Sequence, residues 1–329
     1  MTCSQIAREV NEPLIGTAPN YEHYICIEDK QSLWKRGIGK SASQQHYYER
    51  YEHLDIFFSI LNGLQTKFVR PLLIDQDREQ DNHCIFIYSL QDNHYTCHKY
   101  TIDSLNSILA LFSHHLLQNA NNIPDVIRQV LKPAAKKIDA AQFPCNKDNN
   151  PRMFVCNHNY YDRCCSRGKA IHEAIIARGI DSWRCSHIGG HRFAATMMSM
   201  PDARYYGKIE NEDIDALVEC MHAHKPFLSD NKYRGLATVP QELQVAEYLA
   251  WTHQKKSQCV IDKVWVKNDS VRIYVKRMYS SGEIEYCTLT LKEQTSTQVR
   301  FSSCSDADNN KKQKPWKYLT IQTFQKITS

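Results

Sequence analysis

Cys156, Cys165, His187 and His191 are donors suited to a soft or borderline metal, and they fall in one stretch of the sequence. His187 and His191 stand four apart, the spacing at which two side chains on one helix face grip a single ion. Between them lie Gly189 and Gly190, each of which costs about 1 kcal/mol relative to alanine inside a helix, so the pair predicts a loop that turns beside something bulky. Taken alone, such a pair reads more simply as two hydrogen-bonded loop histidines. Cys156 and Cys165 are separated by eight residues, too far for the short clasp of a zinc finger but suited to a loop that reaches around a larger object. A two-iron cluster is such an object. Thiolates bind iron well, and imidazole replaces two of them on one iron in Rieske centres, raising the potential. The four residues therefore form a chemically complete shell of two cysteines and two histidines for one [2Fe-2S] cluster. Two ferric ions, two sulfides and two thiolates sum to about zero charge with neutral imidazole, so the oxidised centre needs no buried counter-charge.

The chain has 13 cysteines, an odd number that does not fit a complete disulfide framework. Clustered cysteines in a reducing compartment point to metal or redox chemistry. Cys3, Cys26, Cys84, Cys97, Cys145, Cys220, Cys259, Cys287 and Cys304 are scattered and read as small buried hydrophobes or free thiols. Cys164 and Cys185 lie beside the proposed ligands and remain their rivals. His158 and Asp162 read as outer groups that orient ligands, or equally as a satisfied loop histidine and an Asx turn. Arg192 could steer an acidic partner, although an ordinary solvated arginine is the simpler reading. His114, His115, His222 and His224 fall on helical or helix-end patterns and read as structural or exposed.

The elements that must position these residues can be read in order. "RMFVCNH" is an apolar strand ending at Cys156, "NYYDRCCSRG" a loop, and "KAIHEAIIARG" an amphipathic helix closed by Gly179. "DSWRCSHI" is a second strand that delivers His187, "AATMMSMP" and "RYYGKI" a hairpin, and "NEDIDALVECMHAH" a helix with acidic residues in its first turn. This β-α-β, β-β-α order predicts a thioredoxin-like domain over residues 141–235, with Cys156 and His187 at the same ends of neighbouring parallel strands, where open α/β sheets place ligands.

Ahead of it, residues 1–140 alternate strand runs ("YEHYICIE", "HCIFIYSL") with helical patterns ("LDIFFSILNGL", "SLNSILALFSHHLL"), and "QDN" reads as a hairpin turn. This is an N-terminal α/β domain. "LKPAAKKIDAAQFPCNKDNNP" is polar and proline-bearing, a connection. Residues 236–329 open with the helix "PQELQVAEYLAWTHQ" and continue as "CVIDKVWVKN", "VRIYVKRMY", "IEYCTLTLK" and "TQVRFSS", a small antiparallel β unit. "NNKKQKPWK" reads as a solvated turn.

At 329 residues and 42% hydrophobic, the chain can bury a sizeable core in two or three domains. A net charge of +5 from interspersed signs gives little support for nucleic-acid binding. No apolar run approaches the roughly 20 residues of a membrane helix, and "MTCSQIAREVNEP" lacks the apolar stretch of a signal peptide, so a cytoplasmic protein is expected.

"VCNHNYYDRCCSRG", "SHIGGHRFAAT" and "PDARYYGKI", together with "IGTAPNYEHYICIED", resemble the sucrase/ferredoxin-like family, related to fungal thioredoxin-like ferredoxins with bis-histidinyl clusters. The resemblance implies that Cys156 and Cys165 hold one iron and His187 and His191 the other. Asn159 and Tyr161 depart from the glycine and arginine usual there. The expected function is a non-catalytic electron carrier between a protein reductase and a protein acceptor. A ligating imidazole leaves one ring nitrogen for a proton, so electron gain and proton gain are expected to favour each other. A structural zinc protein would use the same four residues, and a thiol-disulfide enzyme would use Cys164 with Cys165, or Cys156, although no C-x-x-C motif is present. No paired-carboxylate site supports sugar hydrolysis.

Overall fold

The computed structural model describes residues 1–34, 67–79, 82–120, 123–137, 143–229, 231–253, 257–267, 270–279, 284–311 and 315–327. The chain divides into two compact units that interleave along the sequence. One comprises residues 21–188 and 199–203, the other residues 1–20, 189–198 and 204–329. The helix expected over "LDIFFSILNGL" lies outside the described residues.

Among its described residues, the unit of residues 21–188 has seven strands: β1 (His23–Glu28), β2 (Val69–Asp75), β3 (His83–Gln91), β4 (His94–Ile102), β5 (Cys145–Lys147), β6 (Arg152–Cys156) and β7 (Asp181–Cys185). Their order is β6-β7-β2-β1-β3-β4-β5. β1 runs parallel to β2 and β6 parallel to β7. β2 and β7 meet antiparallel through Ile74 with Cys185 and Asp75 with Arg184. Every residue of β1 and of β6 is buried, which is why their sequences run almost continuously apolar instead of alternating. The expected hairpin turn is present: Asp92 and Asn93, between β3 and β4, both take positive φ (48° and 65°), as a two-residue type I′ turn requires.

Helices Ile108–Asn119 and Asp125–Ala135 close one core, where Phe112, Leu116, Ile127 and Leu131 pack with Ile25, Ile27, Leu73, Ile85 and Ile87. Burying each such side chain is worth about 1.5–3 kcal/mol. The second helix corrects the reading of "LKPAAKK" as connection. Ile127, Leu131 and Ala134 recur at helical spacing and are buried together, and Pro133 falls only in the last turn.

In the other unit, β9 (Arg204–Tyr206) pairs antiparallel with β10 (Tyr233–Leu236), and the division between units runs through β8 (Met197–Met200). Helices Cys3–Glu9, Ile214–His222, Gln241–His253 and Cys304–Asp308 belong here. β11 (Ser257–Lys267), β12 (Ser270–Tyr279), β13 (Ile284–Thr295) and β14 (Lys317–Ile327) form an antiparallel sheet in sequence order. Leu289 and Leu291 pack with Val245, Ala246 and Leu249 of the helix that follows Pro240.

Two expectations for this region are overturned. "TQVRFSS" is irregular, and the fourth strand is β14. The basic run ahead of it is not simply a solvated turn, because Trp316 is buried and Lys317 begins that strand. Among the described residues, no helix is long and apolar enough to cross a membrane.

Candidate metal centre

Cys156 ends β6 and pairs with Cys185 of β7, and the Asn157 N–H donates to the Cys185 carbonyl at 3.1 Å. The chain then makes a short loop and re-enters helix. Asp162 is the hinge of that return. Its carboxylate accepts the Cys164 N–H at 2.9 Å, capping the tight turn Arg163–Arg167, and its carbonyl accepts the Cys165 N–H at 3.0 Å. Helix Gly168–Ile176 starts directly after that turn.

Gly168 is needed there for space. Its φ of −65° suits any residue, but a Cβ would fall 2.0 Å from the Cys156 carbonyl oxygen. The close approach of helix to strand end thus sets how far Cys165 lies from Cys156.

On the second strand, Ser186 locks the end of β7 to β2, donating its N–H to the Leu73 carbonyl (2.8 Å) and accepting the Leu73 N–H on its hydroxyl (2.9 Å). His187 follows. Arg70 donates to the His187 carbonyl, and the Tyr161 ring stacks on the imidazole with centroids 4.1 Å apart and planes 10° from parallel. The sulfurs of Cys156 and Cys165 and a ring nitrogen of His187 all lie within 4.8 Å of one another. Both cysteines are 1% exposed. Cys164 and Cys185, buried nearby, do not join this group.

The two thiols share a hydrogen bond that splits their acidities. Cys156, receiving it, is held well below the ordinary thiol range against the opposing effect of burial, and the His187 imidazole lowers it further. Cys165, donating it, is pushed up, and burial adds to the rise. Cys185 is raised by burial. The site thus offers one thiolate-prone sulfur, a second sulfur in contact with it, and an imidazole. Soft and borderline donors of this kind hold zinc or iron-sulfur groups, whereas magnesium and calcium prefer oxygen.

Around the group, His158 is buried, its Nε2 lying 3.0 Å from the Trp34 carbonyl, and Gln31 donates to the Asn157 carbonyl. Both contacts tie the cysteine loop to the segment after β1. The His158 ring thus meets backbone of the segment after β1, and the Asp162 carboxylate meets backbone of the cysteine loop itself.

His191 belongs to the other unit, where it heads the tight turn His191–Phe193 and is buried. Gly189 and Gly190 before it take φ of +92° and +75°, so the glycine pair is a left-handed turn, as the loop reading required. Arg192 is not the solvated residue expected. Its Nε donates to both carboxylate oxygens of Glu12 (2.9 and 3.1 Å), a partner 180 residues away that local sequence could not reveal. Long separations in sequence, 117 and 45 residues, likewise hide Arg70 and Arg234, which hold the carbonyls of His187 and Gly189. Cys3 and Cys304, read as unrelated thiols, lie with sulfurs 3.6 Å apart.

A family model described as sucrase/ferredoxin-like matches residues 14–235. Among solved structures, a thioredoxin-like [2Fe-2S] ferredoxin from Aquifex aeolicus matches at 16% identity, covering 24% of this chain and 86% of that chain, with a TM-score of 0.21. No curated protein matches.

Proposed function

This chain belongs to the sucrase/ferredoxin-like family, and from that starting point we propose that it is an electron-transfer protein carrying one [2Fe-2S] cluster. Cys156 and Cys165 hold one iron, and His187 and His191 hold the other. The observation that carries this reading is the buried group of two sulfurs and an imidazole nitrogen within 4.8 Å, a donor set without carboxylate. His191 joins it on its motif, four residues past His187 across the glycine pair. The element order from β6 through helix Ile214–His222 supports a thioredoxin-like arrangement of residues 141–235.

When bound, the cluster supplies a site that takes up and releases one electron. The remaining work falls to the chain's own side chains. Burial of Cys156 and Cys165 keeps water from the sulfurs. Tyr161, stacked on His187, fixes the plane of that ring, and Arg70 fixes the backbone behind it. The ring nitrogen that each histidine would not use for iron would be bare in the oxidised form and gain a proton when an electron is gained, so that the two uptakes would favour each other. The partners are a protein donor and a protein acceptor, and the chain is a carrier between them in the cytoplasm. Dithionite reduction of the purified chain, followed by low-temperature electron paramagnetic resonance (EPR), tests this reading. A one-electron signal with bleaching of the reddish-brown colour is expected, and a spectrum indifferent to reductant contradicts it.

A further inference from the structure

Arg234, in β10, is 2% exposed, and its planar guanidinium gathers two separate segments of its own unit. Nε donates to the Thr17 hydroxyl at 3.1 Å and Nη2 to the Thr17 carbonyl at 2.6 Å. Nη1 donates to the Gly189 carbonyl at 2.9 Å. The guanidinium carbon also lies 5.4 Å from the centre of the Tyr205 ring and 5.7 Å from that of Phe193, which closes the turn begun by His191.

Gly190 fits against this group so closely that a Cβ there would fall 2.9 Å from both Cζ and Nη2 of Arg234. Gly190 is thus explained twice, by its left-handed backbone and by the arginine that occupies the place of a side chain, whereas Gly189 is explained by its positive φ alone. A lysine could not reproduce the arrangement. It carries the charge but not the rigid fork of donors that reaches Thr17 and Gly189 together.

We propose that Arg234 is the positioning residue of the histidine loop. By holding the Gly189 carbonyl and packing on the face of Gly190, it fixes the backbone that aims His191, and its positive charge beside that loop favours electron uptake. This rests on the cluster reading given above. Charge and positioning separate in two variants. Arg234→Gln removes the charge and the fork, and Arg234→Lys removes the fork alone.

The experiment measures three quantities on wild type, R234Q and R234K: midpoint potential, EPR line shape of the reduced holo-protein, and amide hydrogen exchange of the metal-free chain. Both variants are expected to alter the line shape and to speed exchange at Phe193 and Ala194, whose N–H groups donate to the Gly190 and His191 carbonyls. Only R234Q is expected to lower the potential, because loss of a nearby positive charge disfavours the reduced state. If R234Q does not fold, R234K carries the positioning test through line shape and exchange. Wild-type line shape and wild-type exchange in R234K overturn the positioning role, and an unchanged potential in a folded R234Q overturns the charge role. A wild-type chain that binds no iron and sulfide is a different failure, that of the cluster itself, and the exchange measurement still reads the loop without metal.

Discussion

The segment that carries Cys156 and Cys165 and the loop that carries His187 and His191 are held in place by different means. Both cysteines sit on regular backbone. Cys156 is the last residue of a fully buried strand, and Cys165 lies in a capped turn that runs straight into a helix. Their separation follows from hydrogen-bonded geometry and from one glycine that lets the helix approach the strand. The histidine segment has such support only at its ends, where Ser186 bonds to β2 before His187 and His191 opens a tight turn. Two left-handed glycines give it its path, and arginines from distant strands hold its carbonyls, Arg70 at His187 and Arg234 at Gly189. The cysteine spacing is thus set mainly by local backbone, with Gln31 and the Trp34 carbonyl holding the loop between from far away in sequence, whereas the path between the histidines depends chiefly on distant side chains. The two halves should accordingly fail in different ways.

The largest effect falls on the cysteine half. Cys156→Ala and Cys165→Ala are each expected to abolish cluster retention, while Cys164→Ala and Cys185→Ala keep the visible spectrum of the purified protein. A colourless Cys164→Ala chain beside a normally coloured Cys165→Ala chain would move the ligand by one residue and break the geometric account of that half.

Next in size is Gly168→Ala. The new methyl would meet the Cys156 carbonyl oxygen at 2.0 Å, and backbone cannot yield there without moving the helix. Overpacking of this kind costs about 1–3 kcal/mol, so thermal unfolding should shift down by several degrees and cluster content should fall with it. Wild-type stability together with wild-type cluster content would show that the helix start does not set the cysteine spacing.

The histidine half is expected to respond by tuning. His187→Cys and His191→Cys should retain a cluster at a lower potential, because thiolate in place of neutral imidazole adds negative charge and disfavours the reduced state. An unchanged or higher potential in both, by voltammetry, would count against the histidines as ligands. The smallest effect is the pH dependence of the unmodified protein. Its midpoint potential should fall with rising pH between the imidazole pKa values of the oxidised and reduced forms, by at most about 59 mV per unit for one proton per electron. A potential flat from acid to alkaline pH would remove the proton from the mechanism and leave the cluster in place.

The same contrast explains how much could be read from sequence. β6, the helix after it and β7 were legible because burial imposes apolar runs and helical spacing on local sequence, and Gly179 with its φ of +76° marked the helix end. The glycine pair was legible as a turn for the same local reason. Arg70, Arg234 and Glu12 were not, because each reaches its partner across 45 or more residues. β2 escaped notice because Pro71 interrupts its apolar run, although that residue pairs with Ile25 inside the sheet. β14 was hidden behind the basic run that precedes it, and its alternating Leu319, Ile321 and Thr323 pair with β13 only once the chain has returned from the irregular stretch before it.

The most direct test of the central claim is the metal content of the native chain. Anaerobic purification followed by iron, acid-labile sulfide and zinc analysis is expected to give about two irons and two sulfides per chain and negligible zinc. One zinc per chain without sulfide, or a metal-free protein with Cys156 and Cys165 joined in a disulfide, would contradict it.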